Sequence, residues 1–354
     1  MALHFHTLTV KKIQKETADC VSICFEVPDA LRETFKFTAG QNITLKARVD
    51  GTEIRRSYSI CTAPHENELK IAVKKIPGGI FSNYANEQLQ PGTVLEVLPP
   101  SGSFYTPLHS GNKKQYTAFA AGSGITPVLA LIKAILHTEP QSCITLVLSN
   151  KNSRSIIFLE ELQALKNKYL HRLQLLFILT QEKTGNSITE GRIDYTKMQA
   201  LSKLLPLAIT SEFFICGPEP MIFCIRDFLL EKGIDAGKIH FELFGAGKQQ
   251  PVSTPAAVQA TINSVIEIKY DGRIKTFTIN NSSTILDAAL REGADLPFAC
   301  KGGMCCSCRA RLTEGEVRMD VHWGLEEDEI KNGYILTCQS HPVTKKVTID
   351  FDEK

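Results

Sequence analysis

Hydrophobic and polar residues alternate in short runs over residues 1–110, as in LTVKKIQ, NITLKARV and LKIAVKKI. Glycine, proline, asparagine and aspartate separate these runs, which is typical of short strands joined by turns. Alternation with a period of two leaves one face of each strand apolar, so the strands need a common core. This segment is therefore predicted to form an antiparallel β-barrel or a sandwich.

The pattern changes over residues 111–246, where continuous apolar runs precede stretches with helical periodicity. ITLVLSN is followed by FLEELQALKNKYL, and FFICG is followed by EPMIFCIRDFLLEKG. Apolar strands that alternate with amphipathic helices are typical of a doubly wound parallel sheet. This segment is predicted to be an α/β domain.

Residues 247–260, GKQQPVSTPAAVQA, lose both patterns and are predicted to be a linker. Residues 261–354 return to short strand-like runs around one helix, STILDAALREG, in which Thr284 is placed to cap the first turn. The chain is therefore predicted to be a multidomain protein with both α/β and α+β parts.

Composition limits the function classes. The chain has 354 residues, 43% hydrophobic and 22% charged, which predicts two or three globular domains. No apolar run approaches about 18 residues and no charged-then-apolar leader begins the sequence, so we expect a cytoplasmic protein that does not enter a membrane. The formal net charge of +2 and the lack of a basic, aromatic-containing stripe give no basis for nucleic-acid binding.

The cysteines indicate chemistry near the C-terminus. The chain has 11 of them, and most are scattered, as in a protein from a reducing compartment. Cys300, Cys305 and Cys308 have C-x4-C-x2-C spacing and Cys338 follows, which is the plant-type ligand pattern for a [2Fe–2S] cluster. Zinc sites more often pair cysteines twice at short spacing. Cys306 falls outside the pattern and is expected not to be a ligand.

RRSYSI, which follows a strand-like run, resembles the R-x-Y-S flavin motif of the ferredoxin–NADP reductase superfamily. The resemblance implies that Arg56 pairs with the flavin pyrophosphate, that Tyr58 stacks on the ring system and that Ser59 bonds near its reactive nitrogen, with Ser57 between them. A guanidinium fork suits phosphate and an aromatic face suits a ring. The second flavin motif of that superfamily resembles VKKIPGGIFSNY, which contains Val73, Lys74, Gly78, Gly79 and Ser82.

A glycine-rich turn, AAGSGITP, joins an apolar strand to a helix beginning near Thr126. Backbone amides around Gly122 and Gly124 could receive the pyrophosphate of a dinucleotide at the helix N-terminus. CGPEPM resembles the superfamily's motif beside the nicotinamide, which implies a steric role for Cys216 followed by Gly217 and Pro218. We expect the nicotinamide and flavin to meet in a pocket formed by Ser59, Thr126 and Cys216, without a protein acid or base.

Two further segments concern the same cofactors. FELFG, with Glu242 and Phe244, resembles the segment that reaches back towards the flavin at the end of the nucleotide domain. Many relatives have G-N-R after the second nucleotide strand, whereas this chain has SNKNSR. Lys151 and Arg154 could attract the 2′-phosphate of NADPH, or they could be solvated charges at a helix start. NADH therefore remains possible.

Over nearly its full length the chain resembles the reductase subunits of bacterial ring 1,2-phenylacetyl-CoA epoxidases. This resemblance implies a flavin barrel, an NAD(P) domain and a C-terminal β-grasp ferredoxin domain. It also implies that electrons pass from NADPH through FAD and a [2Fe–2S] cluster to a multisubunit di-iron oxygenase. Two alternatives stay open: a reductase for another aromatic-ring or steroid oxygenase, and a redox sensor without turnover.

Overall fold

Six strands and one helix form the first unit. The computed structural model describes residues 4–244, 263–325 and 327–353, so the predicted linker 247–260 lies outside the described residues. The elements of this unit are β1 (His6–Thr17), β2 (Cys20–Glu26), β3 (Asn42–Val49), β4 (Thr52–Ser59), β5 (Leu69–Lys74), α1 (Ile80–Glu87) and β6 (Val94–Val97).

These strands form one antiparallel sheet in the order β4-β3-β6-β1-β2-β5. Ile60, directly after β4, bridges to Ile71 of β5 and so joins the two outer strands. Ile60 and Ile71 are fully buried together with Ile23 and Ile43, which shows the apolar faces turned inward. The sheet therefore closes into a barrel rather than a sandwich, because its two edges pair with each other.

The second unit contains five parallel strands in the order β11-β10-β7-β8-β9. This arrangement confirms the predicted doubly wound sheet. Its elements are β7 (Gln115–Ala121), α2 (Ile125–Thr138), β8 (Cys143–Asn150), α3 (Leu159–Lys168), β9 (Leu173–Leu179), α4 (Tyr195–Leu201), β10 (Glu212–Gly217), α5 (Glu219–Glu231) and β11 (Ile239–Leu243).

Helix α2 lies at the junction between the barrel and the parallel sheet. Most of its residues are buried, and the cluster that contains it includes Ala39 and Phe104 of the first unit and Leu146 of β8. A helix that is apolar on nearly every side must be covered on every side. Across the described ranges, no helix combines the length and apolar character needed to cross a membrane.

The C-terminal unit is a mixed sheet in the order β13-β12-β18-β14-β16, with a separate pair of strands β15 and β17. Strands β12 and β18 are parallel, their other neighbours are antiparallel, and helix α6 packs beside them, as expected for a β-grasp domain. Its elements are β12 (Asn263–Tyr270), β13 (Arg273–Asn280), α6 (Ile285–Arg291), β14 (Arg309–Glu314), β15 (Val317–Met319), α7 (Glu327–Lys331), β16 (Tyr334–Leu336), β17 (Ser340–Pro342) and β18 (Lys346–Asp350).

The hydroxyl of Thr284 caps α6 as predicted, since it accepts a hydrogen bond from the amide of Asp287 at 3.2 Å. The expectation of a single helix in this unit was wrong, because α7 forms as well. Five residues are too few to show helical periodicity. Acidic residues in the first turn of α7 and Lys331 in the last favour this short helix through its dipole.

Candidate functional site

The four cysteines of the predicted cluster site face one another in two pairs. The thiol of Cys300 is hydrogen-bonded to that of Cys305, and the thiol of Cys308 to that of Cys338. In the described ranges, no three His, Cys, Asp or Glu side chains surround a single metal position. Two thiols for each of two irons is the donor set that a [2Fe–2S] cluster needs, and the arrangement fits that group.

Backbone amides surround these sulfurs. The amide of Gly302 donates to Sγ of Cys300 at 3.3 Å, and the amide of Cys300 lies 3.5 Å from Sγ of Cys305. Gly303 has φ of +74°, and a Cβ there would lie 2.6 Å from Cγ2 of Val321, so only glycine fits this turn. Amides directed at sulfur stabilise added negative charge on a cluster.

The same hydrogen bonds set the acidity of the thiols. The bond from Cys300 lowers the pKa of Cys305 to about 5, and the bond from Cys308 lowers the pKa of Cys338. Cys305 is therefore a thiolate available to a metal near neutral pH, and the pKa of Cys338 shifts in the same direction. Cys306 lies outside the pairs: its thiol donates to the carbonyl of Gly324, and burial raises its pKa.

The flavin motif lies on β4 and divides between its two faces. The side chain of Arg56 is exposed and forms no ion pair in the part of the chain that the structure describes. Its Nη1 donates to the carbonyl of Arg55 at 2.8 Å, and the remaining N–H groups of the guanidinium suit a phosphate. Tyr58 lies 5.6 Å from the ring of Phe81, and burial raises the pKa of its hydroxyl. The hydroxyl of Ser57 instead contacts Thr44 of β3 at 2.9 Å.

The second flavin motif forms the start of α1. Gly79 is the N-cap residue, and no side chain of the described residues caps this helix, so its first amides can receive phosphate. Ser82 accepts a hydrogen bond from the amide of Ile76 and donates one to the carbonyl of Gly79, both at 3.2 Å, which shapes the loop. Gly78 is exposed in this loop.

The two remaining residues of this motif lie at the end of β5. Val73 is fully buried, and its carbonyl accepts a hydrogen bond from the side-chain amide of Asn86 in α1. Lys74 lies 3.6 Å from a carboxylate oxygen of Asp19 and also faces Gly122 of the glycine-rich turn. The arrangement therefore places the predicted flavin and nucleotide motifs side by side.

The glycine-rich turn packs tightly against β10. A Cβ at Gly124 would lie 2.2 Å from the carbonyl oxygen of Cys216, so this close approach of two backbones requires glycine. Within the described part of the chain, no side chain caps the N-terminus of α2, and the hydroxyl of Thr126 donates to the carbonyl of Ser123 at 2.9 Å. Free amides at this turn fit the pyrophosphate of a dinucleotide.

Cys216 is fully buried at the end of β10, and burial raises the pKa of its thiol, which argues against a nucleophile. Gly217 ends the strand and Pro218 is the N-cap residue of α5. Phe244 follows β11 and is half-exposed. The structure therefore brings the predicted nicotinamide residues to the carboxyl edge of the parallel sheet, where open α/β sheets bind ligands.

Glu182 is a residue of the nucleotide edge that the sequence did not reveal. Its carboxylate accepts hydrogen bonds from the amide and the hydroxyl of Ser153 at 2.7 and 3.0 Å. These bonds, with the nearby charge of Arg154, hold its pKa below the usual value. Lys151 and Arg154 are exposed beside it, so the site offers both cations and a carboxylate.

Ser59 connects the barrel to the parallel sheet. Its hydroxyl donates to Oε2 of Glu242 at 3.1 Å, across 183 positions of sequence. Burial raises the pKa of the Glu242 carboxyl to about 8, and the nearby charge of Cys305 contributes to that rise. Ser59 and Glu242 therefore lie at the point where the flavin motif, the parallel sheet and the cluster cysteines converge.

Comparison with known families matches all three units. Residues 7–105 match the oxidoreductase FAD-binding domain family. Residues 119–227 match the oxidoreductase NAD-binding domain family, and residues 268–343 match the 2Fe-2S iron-sulfur cluster binding domain family.

The chain is 44% identical over 352 residues to a subunit of 1,2-phenylacetyl-CoA epoxidase from Escherichia coli strain K12, covering 99% of this chain and 98% of that protein. The chain belongs to the family of flavin and iron–sulfur reductase components of oxygenases. This reductase is also 34% identical to the ferredoxin reductase component of 3-ketosteroid-9-alpha-monooxygenase from Rhodococcus rhodochrous, with 97% and 96% coverage. It is an NAD(P)H-dependent oxidoreductase whose cofactors are FAD and a [2Fe–2S] cluster.

Solved structures show the same fold for the reductase. Phthalate dioxygenase reductase superimposes with a TM-score of 0.58 at 22% identity, over 98% of each chain. An intact type IV self-sufficient cytochrome P450 monooxygenase superimposes with a TM-score of 0.73 at 20% identity, over 98% of this chain and 41% of that one. The combination of barrel, parallel sheet and β-grasp domain is thus a known architecture.

Proposed function

We propose that this reductase delivers electrons from NADPH to the di-iron oxygenase subunits of a phenylacetyl-CoA epoxidase, in the cytoplasm and in the breakdown of phenylacetate. One observation carries the proposal: the 44% identity to the Escherichia coli protein spans 99% of this chain, so it includes every unit and the junctions between them. Shared cofactor domains alone would not favour one oxygenase over another.

The residues of this chain bind and orient the cofactors. Arg56 and the uncapped start of α1 hold the flavin phosphates, and Tyr58 packs against the ring system. Gly124 lets the nucleotide turn approach Cys216 closely, and this shapes the nicotinamide pocket. When bound, FAD accepts a hydride and releases single electrons, which the cluster carries onward. The protein contributes distance, orientation and electrostatics.

Nucleotide choice depends on the charges that follow β8. Lys151 and Arg154 favour the 2′-phosphate of NADPH, whereas the carboxylate of Glu182 would repel it and suits the free ribose hydroxyl of NADH. Glu182 is already engaged by two hydrogen bonds from Ser153, which reduces its capacity to bind a ribose. On this balance we infer a preference for NADPH.

The test is consumption of NADPH by the purified reductase mixed with phenylacetyl-CoA epoxidase oxygenase subunits, with and without phenylacetyl-CoA. We expect consumption that depends on substrate and matches epoxide formation, and slower turnover when NADH replaces NADPH. Substrate-independent oxidation without product would reject the epoxidase as the acceptor. Faster turnover with NADH would reject the nucleotide preference.

A second acceptor has support from a specific observation, the 34% identity to the Rhodococcus rhodochrous reductase component. The same assay with the oxygenase component of 3-ketosteroid-9-alpha-monooxygenase and its steroid substrate tests it. Product formation in that mixture, and none with the epoxidase, would favour a steroid oxygenase.

A further inference from the structure

Arg55, the neighbour of the flavin-motif residue Arg56, contacts the C-terminal unit. Its side chain is only 8% exposed. One guanidinium nitrogen donates to the carbonyl of Leu296 and another to the carboxylate of Asp295, both at 3.1 Å. The guanidinium also lies over the ring of Phe298, 4.5 Å from its centroid. Each of these partners precedes the cluster ligand Cys300 by a few residues.

Strand geometry explains why neighbouring arginines serve different partners. Successive side chains of a strand point to opposite faces, so Arg55 and Ser57 share one face of β4 while Arg56 and Tyr58 share the other. Arg56 is exposed, whereas Arg55 is buried against residues 295–298. The strand can therefore direct Arg56 and Tyr58 towards the flavin and Arg55 towards the C-terminal unit.

A second contact on the same face reaches the cluster loop itself. Thr44 of β3 lies opposite Ser57 in the sheet, and its hydroxyl is 2.9 Å from that of Ser57 and 3.0 Å from that of Ser307. Ser307 is buried and is hydrogen-bonded to Cys305. In the sequence it lies between the cluster cysteines Cys305 and Cys308. The flavin-motif strand is therefore connected to a cluster ligand by side-chain hydrogen bonds.

We propose that Arg55 is a positioning residue for electron transfer from flavin to cluster. With Thr44 it forms an interdomain latch, defined by the contacts of these two residues with Asp295, Leu296 and Ser307. The latch keeps the cluster loop against the strand that carries the flavin motif. The inference rests on the proposed electron route through this chain, but not on which oxygenase receives the electrons.

The step that the latch serves is a single-electron transfer. With both cofactors bound, a hydride from NADPH would supply two electrons to the flavin and leave NADP⁺, and these electrons would pass on singly, because a [2Fe–2S] cluster accepts one electron at a time. Electron transfer slows steeply with distance. The cluster is therefore reduced faster when the C-terminal unit is docked on the barrel than when it is undocked, even if both cofactors are intact. Arg55 matters here because its planar guanidinium fixes the orientation of the C-terminal unit on the barrel as well as the distance between them.

The Arg55→Leu variant tests the latch in the isolated, cofactor-loaded reductase. Anaerobic mixing with NADPH should bleach the flavin at the wild-type rate, because Arg55 lies on the opposite face from Arg56. Reduction of the cluster, followed by freeze-quench electron paramagnetic resonance, should slow by about tenfold as the docked population falls. Amide hydrogen exchange at residues 295–298 and 305–308 should rise in the same variant, even without NADPH.

Two variants give matched comparisons. Arg55→Lys keeps a charge near Asp295 but loses the planar fork, so its cluster reduction should fall between wild type and Arg55→Leu. Arg32→Leu removes an exposed arginine of the same barrel whose ion pair among the described residues is with Asp29 of its own turn, at 2.8 Å. It should leave cluster reduction and exchange at wild-type values.

Wild-type cluster reduction and unchanged exchange in Arg55→Leu would overturn the latch. If that variant does not retain both cofactors, Asp295→Ala combined with Thr44→Val removes the ion pair of Arg55 with Asp295 and the hydrogen bond to Ser307, and keeps Arg55 with its bond to the Leu296 carbonyl. Cluster reduction should also slow in this double variant, and a wild-type rate in it would overturn the proposal. Absence of cluster reduction in the wild-type protein would instead reject the electron route. A wrong oxygenase assignment would change none of these results.

Discussion

Individual residues of the site could be predicted from the sequence where their motif lies within one short stretch of the chain. The spacing of Cys300, Cys305 and Cys308 indicated a cluster because three ligands fall within one loop. The partnership between Ser59 and Glu242 has no such signal, since 183 positions separate them and only the docking of barrel and sheet brings them together. Glu182 was missed for a similar reason, because it acts through Ser153 of another loop.

A pH dependence follows from Glu242. Burial raises the pKa of this carboxyl to about 8, above its unfolded value, so the proton is held more tightly in the folded protein. The contribution of the protonated carboxyl to the free energy of unfolding is complete below the unfolded pKa and is lost as pH rises through about 8. The resulting carboxylate beside Ser59 should disfavour electron entry, so flavin reduction should slow over the same range.

The measurement is the rate of flavin bleaching by NADPH between about pH 6 and about pH 10. Glu242→Gln should remove the inflection, because an amide does not titrate. Glu33→Gln, at an exposed carboxylate paired with Lys36, should keep it. An inflection that persists in Glu242→Gln would assign it to another group.

At the scale of elements, α2 shows what periodicity predicts and what it leaves out. The pattern TPVLALIKAILH predicted a helix after the glycine-rich turn, and the helix Ile125–Thr138 forms there. Burial on nearly every side could not be predicted, because it depends on the barrel packing against the face opposite the parallel sheet.

Replacement of Gly124 by alanine should disrupt this junction. The new Cβ would lie 2.2 Å from the carbonyl oxygen of Cys216, and such overpacking costs roughly 1–3 kcal/mol. We expect a higher KM for NADPH and a lower Tm. Gly111→Ala is the matched control, since its Cβ would meet no atom of the described residues within 4 Å. Equal KM and Tm values in the two variants would show that the close approach is unimportant.

At the scale of the whole molecule, sequence predicted three units in order but not how they meet. The C-terminal unit contacts the barrel through Arg55 and also reaches the parallel-sheet unit, where Trp323 packs against Phe223 of α5 at 5.4 Å between ring centroids. Such contacts join segments far apart in sequence, and no local pattern specifies them. They place the cluster cysteines near the flavin motif, as an internal electron route requires.

If the cluster is the exit of that route, Cys300→Ser should separate the two halves of the reaction. Flavin reduction by NADPH should continue, because its residues lie in the other units. Reduction of cytochrome c should fall at least about tenfold, since one of four cluster ligands is lost. Cys306→Ser removes a thiol that contacts Gly324 and should retain the cluster. Normal cytochrome c reduction in Cys300→Ser would place the exit elsewhere.

The measurement that tests the account most directly is electron transfer to the proposed partner. The reductase is reduced anaerobically with NADPH and mixed with oxidised oxygenase subunits of phenylacetyl-CoA epoxidase, and the paramagnetic signal of the reduced cluster is followed. We predict that the signal decays rapidly as the di-iron centre is reduced, and that Cys300→Ser gives no such transfer. A cluster signal that persists beside the epoxidase subunits would contradict the proposed function.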